Sequence, residues 1–370
     1  MQFSRRIAGA LLALLFLITT GSAALAQAVS GPVHVFICLG QSNMCGLGHV
    51  SPPSSPISLE YAVQKKHLYP FLVDSSGQWV VQKRVRLVYV MPFKANGLDK
   101  AKWDAYWKDH SLTDPLAPGM MRTINNQWMT IAKQRFIGPE YGIAHEVKKA
   151  VHGPIMILKS VIGNRSIGWD LLPPGSKGYT FTDSRGKVWQ YAGYGQSPNR
   201  WLQGTTPRPF FWYAGKEYDM DVKFAQYVLA NLQKYYPGAT SFKVDGFFFW
   251  QGEKDLGDMA YATRYEKNLT AYIHAIRKAF NAPKAPFVLG TLGEAVKGQA
   301  RGTEALVLKG QLDVANPAIH PEFKGNVATV YTHPLSLGGS GDGHYGGNAQ
   351  TYMNVGLAMG KAMDKLLAHK

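Results

Sequence analysis

Ser42 stands in a short polar turn, residues 40–44 with the sequence GQSNM, directly after an apolar run. A serine hydroxyl is a poor nucleophile at neutral pH, so it needs a base within hydrogen-bond reach, and histidine titrates in the right range. His344, near the other end of the chain, follows a glycine-rich segment and is predicted to be that base. A serine after a glycine is usually just part of a turn, so this pair requires support from other residues.

Further polar segments follow other apolar runs and could stabilise the negative charge that develops on an attacked carbonyl. Gly163 and Asn164 lie in a tight loop whose backbone N–H groups could point toward Ser42, and Gln251 adds a side-chain amide. Preorganised donors of this kind are needed to bind an oxyanion. We therefore predict an oxyanion hole made by the Ser42 N–H, the Gly163 or Asn164 N–H and the Gln251 amide.

Two carboxylates compete for the role of orienting the His344 ring. Asp342 lies two residues before His344, and glycines 341 and 343 would let the loop curl so that the acid reaches the ring. Glu253 follows Gln251 closely and is the alternative. The sequence favours Asp342 and leaves Glu253 open.

The elements that would bring these residues together form an alternating α/β pattern. Short apolar runs predict buried strands at 33–39, 154–161, 243–250, 286–291 and 327–331. Strands alternating with helices indicate a parallel sheet covered on both faces. Ligands bind such sheets outside the carboxyl ends of the strands, which is where Ser42, the Gly163 segment and Gln251 are expected.

Helices are predicted where apolar residues recur at helical spacing, over 225–236, 265–280 and 352–366, and over 139–151 after a proline. Two stretches, 51–136 and 175–213, do not follow the alternation. We predict that they are loop-rich insertions that decorate the catalytic face, where loops carry specificity.

The first 26 residues have the order of a signal peptide: Arg5 and Arg6, a short apolar core, then small residues. We therefore predict export to the periplasm or the medium, with a catalytic domain over 27–370. No later segment has the roughly 18 apolar residues of a membrane span. The formal net charge of +16 favours acidic glycans as partners, whereas scattered basic residues and export argue against nucleic acid.

The chain contains two cysteines, Cys38 and Cys45, which flank the serine turn. Their number and spacing do not suit a metal site, and the histidines show no metal-ligand spacing either. A disulfide between them would have to span the catalytic turn, so we predict two buried thiols. No metal or cofactor is expected.

The GQSNM turn, the loop from Gly163 to Trp169, the QGE sequence at 251–253 and the segment 342–344 together resemble a known family. They are similar to the sequence blocks of the sialate O-acetylesterase-like branch of the SGNH hydrolases, which includes acetylxylan esterases. The resemblance implies a flavodoxin-like α/β/α sandwich with a central parallel sheet, a metal-free serine mechanism and deacetylation of sugars. One departure is that many such enzymes place the acid three residues before the histidine, where this chain has Gly341.

The first hypothesis is therefore a carbohydrate O-acetylesterase that forms an acyl-Ser42 intermediate on an acetylated carbohydrate. Arg165 and Trp169, beside the Gly163 segment, are candidate sugar contacts, although a structural role explains them equally well. A general short-chain, aryl or lipase-like esterase is a second hypothesis. A catalytically silent glycan-binding domain is a third, and the retention of Ser42, Gln251 and His344 argues against it.

Overall fold

The computed structural model describes residues 29–92, 120–210, 212–339 and 343–368. The predicted signal peptide and Asp342 lie outside these ranges. The strands are β1 (Val33–Gly40), β2 (Gly48–His49), β3 (Gln82–Pro92), β4 (Met121–Met129), β5 (Phe136–Ile137), β6 (Ile155–Ser160), β7 (Tyr179–Thr182), β8 (Val188–Tyr191), β9 (Arg200–Leu202), β10 (Phe242–Trp250), β11 (Phe287–Gly290) and β12 (Val327–Val330). The helices are α1 (Ser42–Cys45), α2 (Leu59–Gln64), α3 (Glu140–Ala150), α4 (Lys216–Ala230), α5 (Leu232–Tyr235), α6 (Glu253–Leu256), α7 (Met259–Ala262), α8 (Tyr265–Ala279), α9 (Gly302–Asp313) and α10 (Ala349–Ala368), with single 3-10 turns at Pro70–Leu72, Pro321–Phe323, His333–Leu335 and His344–Gly347.

Seven strands form the central sheet, in the order β12-β11-β10-β1-β6-β3-β4. All neighbours pair in parallel except β4, which runs antiparallel to β3. The five predicted strands are β1, β6, β10, β11 and β12, and each ends within one residue of its predicted bounds. Their order, with the second strand and the third on opposite sides of the first, is that of flavodoxin-like sheets. The predicted fold class is confirmed.

Apolar side chains cover both faces of the sheet because successive strand residues point in opposite directions. On β1, Val35, Ile37 and Leu39 join one apolar cluster with residues of α4, α8 and α9. Phe36 and Cys38 join the other cluster, with residues of α2, α3 and α10. The sheet therefore lies between two layers of helices.

The stretch 51–136, predicted to be a decorating insertion, also supplies two strands of the central sheet. β3 extends the sheet beyond β6, and β4 forms its edge. The apolar run of β3 is interrupted by Arg86, whose charge is accommodated because its guanidinium donates to Tyr235 O and Asn126 Oδ1 and lies over the Trp128 ring. β3 is buried from Val85 to Pro92, whereas β4 is largely polar, as suits an edge strand.

The second stretch, 175–213, contains a separate three-stranded antiparallel sheet in the order β7-β8-β9. Tyr191 of β8 anchors it, because its buried ring contacts Tyr261 edge-on at 5.6 Å and its hydroxyl donates to Asp258. This small sheet stands beside α7, on the segment that follows β10.

The predicted helices 139–151, 265–280 and 352–366 correspond to α3, α8 and α10. The stripe over 225–236 is divided between α4 and α5, because Asn231 leaves the helical conformation. Within the described ranges, no helix is both long enough and apolar enough to cross a membrane. Cys38 and Cys45, both described, are not joined by a disulfide; Cys38 is buried as predicted, whereas Cys45 is half-buried.

Candidate active site

The serine turn begins where β1 meets β10. Gly40 has φ +136°, and a Cβ atom there would lie 2.4 Å from the Trp250 carbonyl oxygen, so only glycine fits. The Gln41 N–H donates to that same oxygen. The chain then turns sharply and Ser42 becomes the first residue of α1. Because β6 and β10 lie on either side of β1, Ser42 stands at the topological switch point of the sheet, where ligands bind.

Ser42 and His344 are in direct contact although 302 positions separate them. The His344 Nε2 atom lies 2.7 Å from Ser42 Oγ. The turn that carries the ring is unusual, since His344 and Tyr345 both have φ +57°. Tyr345 anchors it: its ring stacks on Trp250 at 5.7 Å and its hydroxyl oxygen accepts from the Gly293 N–H.

The segment after β6, residues 162–168, is called the Gly163 loop below. It packs directly against the serine, since a Cβ atom on Gly163 would lie 3.2 Å from Ser42 Cβ. Asn164 adopts the left-handed conformation, with φ +62°. Among the described residues, none accepts a hydrogen bond from the backbone N–H of Ser42, Gly163 or Asn164. These three donors remain available to a bound oxyanion.

Gln251 lies at this edge as predicted, but its amide is already engaged. The side chain is fully buried, and its Nε2 atom donates to Arg165 O at 2.8 Å and to Asp255 Oδ2 at 2.6 Å. Tyr265 donates to its Oε1. An amide nitrogen has two hydrogens. Donation to an oxyanion would therefore require one of these two hydrogen bonds to break.

Glu253 lies beside the serine turn, where Asn43 donates to its Oε1 at 2.7 Å and Gln41 donates to its Oε2. Burial, together with the nearby carboxyl of Glu294, raises the pKa of Glu253 to about 7. Its rival Asp342 lies outside the described residues. Glu253 is thus linked to the residues on both sides of Ser42.

A cavity of about 1330 Å³ opens over this edge of the sheet. The predicted site residues that line it are Ser42, Gly163, Asn164, Arg165, Trp169, Glu253 and His344. Trp169 stacks on Phe210 with ring centroids 6.4 Å apart, and Phe210 is 44% exposed. The cavity that Ser42 lines therefore also has an aromatic wall.

Arg165 is held firmly at the cavity wall. Its guanidinium donates to the buried carboxylate of Glu217 at 2.9 Å and lies 4.7 Å above the Trp212 ring. Burial raises the pKa of Glu217, and the positive charge of Arg165 opposes this rise. A charged hydrogen-bonded partner of this kind is what a buried carboxylate requires.

Sequence reasoning did not identify the roles of Asp255 and Tyr345. Asp255 is fully buried and binds the Gly163 loop, and Tyr345 fixes the turn that carries His344. The four-residue spacing between Gln251 and Asp255 was visible in the sequence. No pattern indicated the partner of Tyr345, because it depends on where Trp250 and Gly293 lie in the fold.

The profile of a protein family described as carbohydrate esterase, sialic acid-specific acetylesterase, matches residues 113–365. The chain belongs to this family. The matched residues of this carbohydrate esterase include the Gly163 loop, Gln251 and His344, whereas Ser42 precedes them. Membership supports acetylesterase action on carbohydrates, as the sequence predicts.

Solved structures that align with this carbohydrate esterase have low sequence identity to it. A protein from Arabidopsis thaliana is 16% identical, with 90% of this chain and 98% of that chain covered and a TM-score of 0.46. A carbohydrate acetylesterase from Xanthomonas citri is 14% identical, with 91% of this chain and 57% of that chain covered and a TM-score of 0.48. NanS is 16% identical, with 82% of this chain and 78% of that chain covered and a TM-score of 0.37. A comparison with curated proteins gave no match.

Proposed function

We propose that this protein removes O-acetyl groups from carbohydrates through an acetyl-Ser42 intermediate. The observation that carries the proposal is the 2.7 Å contact between Ser42 Oγ and His344 Nε2 inside the cavity. Family membership supplies the carbohydrate ester as the substrate class. A nucleophile in hydrogen-bond contact with a base is the arrangement that acyl transfer requires.

The reaction follows from these positions. His344 Nε2 takes the proton of Ser42 as Oγ bonds to the acetyl carbon, and the backbone N–H groups of Ser42 and of Gly163 or Asn164 stabilise the oxyanion. When the carbonyl re-forms, the bond to the sugar oxygen breaks and His344 returns the proton to that oxygen. Water, activated by the same histidine, then releases acetate and restores Ser42.

Gln251 and the acids have supporting roles in this mechanism. Because both hydrogens of the Gln251 amide are engaged, we assign it the task of holding the Gly163 loop, with the backbone as the source of oxyanion donors. Since Glu253 is bound to Asn43 and Gln41, Asp342 is the acid that we assign to the His344 ring.

The substrate's sugar would contact Trp169 and Phe210, with Arg165 beside them. Stacked aromatic side chains present a flat apolar face, and an exposed apolar patch in a cavity marks a ligand site. The net positive charge favours acidic glycans among acetylated carbohydrates. The basic and apolar order of the first 26 residues supports export, so such glycans would be met in the periplasm or the medium.

Acetate release tests the proposal directly. The protein is incubated with acetylated xylan, acetylated pectin and an O-acetylated sialoglycan, beside Ser42→Ala and the control Ser54→Ala, which changes an exposed serine. We expect release from at least one glycan by wild type and by the control, and none by Ser42→Ala. Full activity of Ser42→Ala would refute the acyl-serine mechanism. Nitrophenyl acetate, butyrate and longer esters, tested in parallel, distinguish an acetylesterase from a lipase-like enzyme.

A further inference from the structure

Asp255 is a carboxylate in the interior, beneath the Gly163 loop. Its side chain is fully buried. Oδ1 accepts from the Gly168 N–H at 2.9 Å, and Oδ2 accepts from the Ile167 N–H at 2.9 Å and from Gln251 Nε2 at 2.6 Å. Asp255 thus joins the segment after β10 to the loop after β6, across the end of β1.

The loop that Asp255 binds is fixed at several points. The Arg165 carbonyl accepts from Gln251, and the N–H and hydroxyl of Ser166 donate to Asp170. The end nearest the serine is different, since no described residue accepts from the Gly163 or Asn164 N–H. The carboxylates hold the far end of the loop, and its near end carries unoccupied donors.

We propose that Asp255 is a positioning residue of the esterase. Its carboxylate holds the Gly163 loop in the position from which the free N–H groups of the loop can donate hydrogen bonds to the oxyanion of the Ser42 adduct. This inference rests on the proposed function. Donors placed in advance accelerate acyl transfer because they need no rearrangement as charge develops.

The chemistry of the carboxylate suits this task better than that of an amide. A carboxylate accepts at both oxygens, whereas an asparagine would direct its NH₂ group at one of the loop N–H groups. Burial raises the pKa of Asp255 to about 7, and the hydrogen bonds from Gln251, Ile167 and Gly168 oppose that rise. The site thus contains three N–H donors that stabilise the ionised form.

The test compares Asp255→Asn with the matched control Asp258→Asn. Asp258 lies three residues further on and also accepts from a backbone N–H, that of Ala260, but its side chain binds Tyr191 and Arg200 and not the Gly163 loop. Active sites are counted by the burst of nitrophenol from nitrophenyl acetate. The rate constant for each active site, KM, and inhibition by a small boronic acid are then measured.

For Asp255→Asn we expect kcat to fall on the order of 100-fold, with KM changed by less than about 3-fold. The reason is that the loop N–H groups donate to the oxyanion, which exists only in the transition state and the tetrahedral intermediate. Boronic acids form a tetrahedral adduct on the serine, so their inhibition should weaken by a similar factor. The control should resemble wild type. Normal kcat in Asp255→Asn, or an equal loss in the control, would overturn the proposal.

Failure of the positioning role can be distinguished from failure of the proposed function. If Asp255→Asn does not fold, Gln251→Met replaces it, because it removes one donor from Asp255 and the bond to Arg165 O; unchanged kcat would then overturn the proposal. If wild type releases no acetate from any ester, the proposed function fails. If wild type is active and Ser42→Ala is not, a normal Asp255→Asn rejects the positioning role alone.

Discussion

At the residue scale, the proposed mechanism gives Glu253 and Asp342 different tasks. Both oxygens of Glu253 accept hydrogen bonds from residues that flank Ser42, so its contacts support the nucleophile turn. An acid that orients a catalytic histidine must instead bind Nδ1 and favour the tautomer that leaves Nε2 able to accept a proton. The two tasks predict different losses on mutation.

We expect Asp342→Asn to lower kcat on the order of 1,000-fold or more, because the ring would adopt the wrong tautomer. Glu253→Gln keeps the size of the side chain and should lower kcat by about 10-fold, through the turn. Steady-state rates on nitrophenyl acetate measure both. A larger loss for Glu253→Gln would exchange the two assignments.

The aromatic wall formed by Trp169 and Phe210 predicts a substrate-selective effect. Phe210→Ala removes an exposed ring from the cavity, so KM for acetylated oligosaccharides should rise about 5-fold or more, as expected for the loss of roughly 1 kcal/mol of contact. KM for nitrophenyl acetate, which has no sugar, should stay the same. Phe242→Ala is the control: this ring is 42% exposed but lies at the opposite end of β10 from Trp250. Equal effects on both substrates would count against a sugar contact.

At this scale the sequence identified the residues better than their partners. The residue types and spacing indicated Ser42 and His344, which lie 2.7 Å apart. The direction in which the Gln251 amide points could not be predicted, because it depends on Asp255 and the Arg165 carbonyl, which belong to other parts of the fold. Side-chain direction is decided by tertiary neighbours.

At the element scale, α3 and α10 pack closely because small residues lie between them. Gly356 of α10 sits against the start of α3: a Cβ atom there would lie 2.2 Å from the Pro139 carbonyl oxygen. α10 also supports the histidine turn, since Tyr352 donates to His344 O. The packing of this helix therefore affects the site as well as the core.

Gly356→Ala should lower the free energy of unfolding by at least about 1 kcal/mol, since overpacking against backbone outweighs the better helix propensity of alanine. Urea unfolding followed by circular dichroism measures it. Gly257→Ala provides the control, because the nearest atom to its added Cβ would lie 3.6 Å away. A Gly356→Ala protein as stable as wild type would show that the helices can separate without loss.

Strands with uninterrupted apolar runs were predicted closely, whereas β3 and the polar edge strand β4 were not. The buried runs of β1, β6, β10, β11 and β12 follow the rule for parallel strands, and their bounds agree with it. β3 was not predicted because Arg86 interrupts its apolar run, and the partner that accepts from Arg86 is Asn126 on the neighbouring strand. β4 was not predicted because it is an edge strand with many polar residues. Local sequence does not reveal such partners.

At the scale of the whole molecule, the formal charge of +16 acts on any charged substrate before contact. Such a field raises the rate of encounter with anions, and salt screens it. Raising ionic strength from about 0.01 M to about 0.1 M shortens the screening length from about 30 Å to about 10 Å.

We therefore expect kcat/KM for an acetylated acidic glycan, such as acetylated pectin, to fall severalfold over that range of ionic strength. The value for acetylated xylan without uronate groups should change little. Initial acetate release at low substrate concentration measures both. Equal salt dependence for the two polymers would mean that the surface charge does not select the substrate.

Ser42 follows β1 and His344 lies in the turn before α10, 302 positions further along the chain. During synthesis, the proposed nucleophile leaves the ribosome long before its proposed base is made. A nascent chain, or one threaded through a translocation channel, would be chemically inert toward esters. Hydrolysis would begin only when the final helix docks, so the cell that makes the protein would be spared its activity until assembly is complete.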